Sequence, residues 1–231
     1  MSKKAGPTRG LALAWVGCGS KRRGGEGMIL GRGNWKISGA LVFNLPQGYT
    51  CPGAGACRRY CYAKHGLFKT KQAMLAAWKN YESAKDPAFA ENMLTALKHR
   101  RLKRLRIHAS GDFFSLEYLQ AWYRVARARE DMIFLAYTKS LPFIMEGGEP
   151  PYNFIILASL GGKYDNLAPE LEAKGYIRGL TVVIPDISQA PRGWYVCPAT
   201  IPGLKHRKAC GRLCDYCWRP QGSKRVVFIQ H

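Results

Sequence analysis

Five short, mostly apolar runs recur along the middle of the chain: SGALVFNLP, LRIHAS, MIFLAYT, FIILAS and LTVVIP. A strand that alternates polar and apolar residues leaves one face in water. A continuous apolar run suits a strand covered on both faces. Helical segments separate these runs, and strands alternating with helices build a parallel sheet with crossover connections. RVVFIQ near the end supplies a sixth strand. The pattern predicts an α/β fold, either an open sheet or a partial (β/α) barrel. Both arrangements bind ligands at the carboxyl ends of their strands.

The intervening helices are read from spacing and caps. In KTKQAMLAAWKNYESAK, Met74, Leu75, Trp78 and Tyr81 share a face expected to turn inward, and the helix stops before Asp86-Pro87. PAFAENMLTALKHRRLK starts on a proline and aligns Phe89, Met93, Leu94 and Leu97. SLEYLQAWYRVARARE has Ser115 as its cap, with Leu116, Leu119, Tyr123 and Val125 or Ala126 inward. LAPELEAKG closes on Gly175. Three regions follow. Residues 1–36, rich in Gly, Lys and Arg, read as a flexible basic arm. Residues 37–190 hold the α/β array, and residues 191–231 a Cys-rich metal-binding extension.

Strand ends carry polar chemistry: Cys51 soon after the first, His108 to Asp112 at the second, Tyr137 to Lys139 at the third, Ser159 at the fourth and Asp186 at the fifth. No run approaches the length of a membrane span, and Leu11–Val16 is too short for a secretory signal core. The expected compartment is the cytoplasm, where clustered cysteines hold metal more often than they pair.

Seven of the eight cysteines fall into two groups. Cys51, Cys57 and Cys61 lie in one loop. Cys197, Cys210, Cys214 and Cys217 lie in the extension. Four thiolates close a tetrahedral zinc site or fill a cubane cluster, whereas three leave one metal position open. His65 would complete the first group as a zinc site. Spacing leaves iron–sulfur and zinc both open at each group, and Cys18 stands apart as an incidental thiol.

CPGAGACRRYCYA, RIHASGDFFS, FLAYTKS and CGRLCDYCW, in that order, resemble the gene-product-88-like family of phage proteins. The same arrangement resembles the radical S-adenosylmethionine enzymes. That resemblance implies a partial (β/α)6 barrel with a small Cys-rich C-terminal extension. It implies a 4Fe-4S cluster on Cys51, Cys57 and Cys61, with S-adenosylmethionine on the fourth iron. Ser110, Gly111 and Asp112 would orient that cofactor, with Lys139 and Ser159 near its carboxylate and ribose. Cys197, Cys210, Cys214 and Cys217 would hold a second 4Fe-4S cluster or zinc. The spacing here, five and three residues between cysteines, departs from the usual three and two. GGEP (Gly147 to Pro150) imitates the family's acidic motif, but it precedes a strand and is expected on the opposite rim.

The net charge of +21 points to a polyanionic partner. KHRRLKRLR (Lys98 to Arg106) carries seven cations counting His99, more than a helix dipole can use. Lys21, Arg22, Arg23, Lys205, His206, Arg207, Lys208, Arg212 and Arg219 extend the basic surface. Trp194, Tyr195, Tyr216 and Trp218 either stack on unpaired bases or pack the metal knot. Two functions follow: an iron–sulfur enzyme, radical S-adenosylmethionine-like, acting on a nucleic-acid or nucleotide-type substrate, or a non-enzymatic, metal-stapled nucleic-acid-binding phage protein. Oligomeric state leaves no trace in the sequence.

Overall fold

The structure, a computed structural model, describes residues 27–32, 37, 39–204, 210 and 214–230. Seven strands form one parallel sheet: β1 (Leu41–Phe43), β2 (Arg104–Ile107), β3 (Ile133–Thr138), β4 (Phe154–Ser159), β5 (Gly179–Ile184), β6 (Tyr195–Val196) and β7 (Lys224–Ile229). Their order is β1-β2-β3-β4-β5-β7-β6, and every pair is parallel. The first five strands therefore stand in chain order, with no reversal. The expected α/β class holds. The strand count rises above six because Tyr195–Val196 adds a two-residue edge strand against β7.

Right-handed crossovers that always step the same way put their helices on one face. The main core is built so. It joins Phe43, Ile107, Phe134 and Ile156 of the sheet to residues of α2 (Phe89–Leu97), α3 (Leu116–Ala128), α4 (Leu141–Gly147) and α5 (Ala168–Ala173). Ser115 caps α3, its hydroxyl accepting the Tyr118 N–H at 3.2 Å. α2 buries Phe89, Met93 and Leu97, and α3 buries Leu119, Tyr123, Val125 and Ala126, so the helical spacing reads correctly there.

It reads incorrectly in α1 (Lys71–Ala84). That helix buries Ala77, Asn80 and Ala84, while Met74, Leu75 and Trp78 face solvent. Its small residues let it approach closely. Asn80 accepts the Ile29 N–H at 2.6 Å and donates to the carbonyls of Ile29 and Asn44 at 3.0 Å each. Residues 28–31 are thus a strap, not part of a free arm. Met28 and Leu30 pack on the core, and Gly31 exchanges two backbone hydrogen bonds with Val42.

The opposite face of the sheet is covered by the end of the chain. Cys217 and Trp218 pack with Leu135, Ile155, Leu157 and Val226. Residues 224–229, read as a further strand, are β7, which lies between β5 and β6 and joins the end of the chain to the sheet.

Candidate functional site

The loop after β1 lies across the carboxyl ends of β3 and β4. Ala54 bridges Gly162, and the Lys163 N–H donates to the Gly53 carbonyl at 3.0 Å. A Cβ on Gly53 would fall 2.0 Å from the Lys139 carbonyl oxygen, and one on Gly55 2.8 Å from that of Gly161. Only glycine permits backbones this close. Tyr62, next to the third cysteine, donates its hydroxyl to the Ala109 carbonyl beyond β2. The loop is therefore fixed at three strand ends.

Its three thiols, Cys51, Cys57 and Cys61, are free and half-buried. Burial pushes the Cys51 thiol up to about 12, and the charges of Asp112, Cys61 and Cys57 add to the effect. The Gly48 N–H approaches the Cys51 Sγ at 3.4 Å and opposes it. Burial lowers the Lys139 pKa, and the charges of Cys57, Asp112, Asp165 and Cys51 oppose that shift.

The residues expected to orient a cofactor are joined in one network. Asp112 is buried and accepts from the Thr138 hydroxyl at 2.6 Å, the Phe113 N–H at 2.8 Å and the Lys139 N–H at 2.8 Å. Burial raises its pKa despite these three donors. Lys139 Nζ donates to the Ser159 carbonyl at 2.5 Å, the Ser159 Oγ at 2.9 Å and the Leu160 carbonyl at 2.6 Å. Ser110 donates its hydroxyl to the Leu45 carbonyl at 2.9 Å. Gly111 has φ +83, and a Cβ there would strike Leu45 at 2.5 Å. Ser110 and Gly111 thus lock the β1 and β2 ends together. Asp186, just beyond the carboxyl end of β5, is exposed and caps the turn at Ser188. Gly147 to Pro150 join α4 to the start of β4, at the other rim. His65 is exposed beside the loop.

The second group sits against the sheet's other face. Cys197, Cys210, Cys214 and Cys217 are free. Cys197 donates its backbone N–H to the Val227 carbonyl at 2.8 Å, and the backbones of Cys210 and Cys214 pair in an isolated parallel β-bridge. The Trp218 indole N–H donates to the Cys210 Sγ at 3.2 Å, and the Tyr195 hydroxyl stands 3.7 Å from the Cys214 Sγ. Burial pushes Cys197 up to about 11 and Cys217 up to about 12. Arg106 acts in the opposite direction on both. Its guanidinium lies 3.7 Å from the Tyr137 ring centroid, and that of Arg104 lies 5.8 Å from Trp218.

Among the described residues, no three Cys, His, Asp or Glu side chains already converge on one metal position. The donor chemistry nonetheless fits a thiophilic metal. Both sets are all-sulfur, neighbouring thiols oppose one another's ionisation, and a cation among them would reverse that penalty.

The basic run divides. Lys98 to Arg101 and Lys103 are exposed, whereas Arg104 and Arg106 turn onto the rings of Trp218 and Tyr137 on the sheet face covered by the end of the chain. Trp218 is core, and Tyr195 packs on Tyr216 with ring centroids 4.5 Å apart and planes tilted by 30°. Cys18, Lys21, Arg22, Arg23, Lys205, His206, Arg207, Lys208 and Arg212 lie outside the described residues. Sequence reading missed Gly53 and Gly55. The run of glycines in the cysteine loop and at Gly161-Gly162 was their visible signal.

A family model described as Gene product 88 matches residues 20–223. The chain is similar to the Gene 88 protein of Mycobacterium phage L5, 35% identical over 122 residues, covering 46% of this chain and 51% of the relative. The Gene 88 protein of Mycobacterium phage D29 gives 35% over 122 residues, 46% and 50%. The chain spans about half the length of these curated relatives. No solved structure matches it. No helix among the described residues is long and apolar enough to cross a membrane.

Proposed function

We propose that this chain, which belongs to the gene product 88 family of phage proteins, is an iron–sulfur enzyme acting in the host cytoplasm on a nucleic-acid or nucleotide-type substrate. The observation that carries the reading is the fastening of the Cys51–Cys61 loop across the β3 and β4 ends by contacts only glycine allows. Three thiols held at a strand-end rim leave room for one further ligand on the metal they share. We read the in-order winding of β1 to β5 as the wall of a partial barrel of the radical S-adenosylmethionine type. A 4Fe-4S cluster on Cys51, Cys57 and Cys61, with S-adenosylmethionine on its free iron, supplies hydrogen-abstraction chemistry when bound.

The chain's own residues do the remaining work. Lys139 brings a positive charge toward Cys57 and Cys51, which offsets the charge of ionised thiolates. Ser159 and the carbonyls beside it hold that ammonium in place. Asp112 is a positioning residue, because its carboxylate fixes the backbone from which Lys139 departs. Ser110 and Gly111 keep the adjoining strand ends in register. Cys197, Cys210, Cys214 and Cys217 would hold zinc or a second cluster as a staple for a segment short of core.

Anaerobic purification with iron, sulfide and zinc quantified tests this. The expected protein is brown, with a reduced-state paramagnetic resonance signal that S-adenosylmethionine alters. Zinc without iron would overturn it and leave a metal-stapled nucleic-acid binder.

A further inference from the structure

Three of the four α1 residues that read as core, Met74, Leu75 and Trp78, lie in solvent, while Tyr81 packs on the core. Tyr49, Met74, Leu75 and Trp78 are 65%, 46%, 51% and 43% exposed. Tyr49, Trp78 and Tyr81 nevertheless form a ring cluster. The Tyr49 centroid is 5.0 Å from Trp78 and 5.2 Å from Tyr81, and Trp78 is 5.9 Å from Tyr81. Tyr81 anchors the cluster to the core, with Lys85 Nζ 4.9 Å from its ring centroid, and Tyr49 and Trp78 are its open members.

Charge decides what fits there. Lys71, Leu75, Trp78, Glu82 and Lys85 follow one another at helical spacing, with Lys79 alongside. Glu82, the acidic residue of this stripe, is bound by Lys85 at 2.5 Å. Lys71 and Lys79 have no ion-pair partner among the described residues. An apolar partner helix would leave those cations without counter-charge. A ligand with flat apolar faces and a regular negative charge satisfies both features. Duplex bases hide their faces in the stack, so unpaired bases suit the cluster better.

We propose that Tyr49 and Trp78, backed by Tyr81, form a stacking platform for single-stranded nucleic acid, with the α1 lysines on its phosphates. The inference rests on the nucleic-acid substrate proposed above. It adds a location, since Tyr49 precedes Cys51 by two residues and a strand stacked there leads to the thiol loop.

The test is a titration of full-length protein with a short fluorescent oligothymidylate at low salt, with iron measured in each variant. Trp78→Ala is expected to weaken binding about 5- to 100-fold, the range of one lost stacking contact. Trp78 is half-exposed, so the variant should keep the wild-type melting temperature and iron content. Lys71→Ala with Lys79→Ala should flatten the salt dependence. Binding by the wild type that Trp78→Ala leaves unchanged would overturn the platform and spare the nucleic-acid reading. No binding by the wild type would overturn both. Loss of self-association in Trp78→Ala at unchanged affinity would make the patch an interface between copies and also overturn the platform.

Discussion

The carboxylate of Asp112 accepts the backbone N–H of Lys139 at 2.8 Å, at the point where β3 ends and its chain meets the cysteine loop. The same carboxylate takes the Thr138 hydroxyl and the Phe113 N–H. One buried side chain thereby ties the β2 end to the β3 end.

Asp112→Asn should expose how much depends on that tie. The amide offers one acceptor oxygen where the carboxylate offered two, and its NH2 faces a donor. A buried donor left unsatisfied costs about 1–3 kcal/mol. Urea unfolding should report that loss for Asp112→Asn and a smaller one, about 1 kcal/mol, for Thr138→Val. Wild-type stability in Asp112→Asn would mean that the bonds are replaceable by water.

Gly53→Ala tests the fastening itself. A methyl group 2.0 Å from the Lys139 carbonyl oxygen cannot be accommodated without moving backbone. The loop should lift from β3, and iron bound at Cys51, Cys57 and Cys61 should fall well below one cluster per chain. The C-terminal thiols are remote from Gly53, so metal held by Cys197, Cys210, Cys214 and Cys217 should remain. Equal loss at both groups would point to global unfolding instead.

His108 gives the protein an acid-sensitive window. It is buried, hydrogen-bonded through Nε2 to the Tyr118 hydroxyl at 2.9 Å, and without a partner at Nδ1. Burial, with Arg106 nearby, lowers its pKa to about 3. In the unfolded chain His titrates near 6.5, so between these values the unfolded state binds more protons. Stability should therefore fall as pH drops from about 6.5 toward about 3, by roughly 1.4 kcal/mol for each pH unit inside the window. His108 has φ 63, a conformation Asn tolerates well. His108→Asn should flatten the slope in thermal melts across that range; an unchanged slope would assign it to other groups.

Much of this was legible in the sequence, and the failures have a common cause. β3 reads as a buried strand because Phe134, Leu135 and Ala136 present apolar atoms to both faces. The α3 cap at Ser115 and the α2 core positions follow from local spacing. α1 has the same spacing as α2 but a different burial, because its neighbours are set by the crossover it occupies. Asn80 is buried because two distant backbone segments need its amide, and no periodicity encodes that. Arg104 and Arg106 read as a phosphate surface. They face inward because Tyr137 and Trp218, far along the chain, supply rings for them. Lys139 and Ser159 read as separate strand-end residues, and only the pairing of β3 with β4 makes them one network.

The end of the chain should prove inseparable from the sheet. Cys217 and Trp218 cover Leu135, Ile155 and Leu157, and β7 supplies the partner for β5 along six residue pairs. Arg225 adds a two-pronged bond to Glu172 of α5, at 2.7 and 2.8 Å. Trp218→Ala opens a cavity in that packing and should cost about 3–5 kcal/mol. Trp78→Ala, on the exposed helix face, should cost under about 0.5 kcal/mol. Truncation after residue 190 should be worse than either substitution. It strips the sheet face covered by the end of the chain and leaves β5 with an unpaired edge. The expected product is insoluble, or binds a hydrophobic dye without a cooperative melt. A soluble truncated chain that melts cooperatively would make residues 191–231 a separable unit after all.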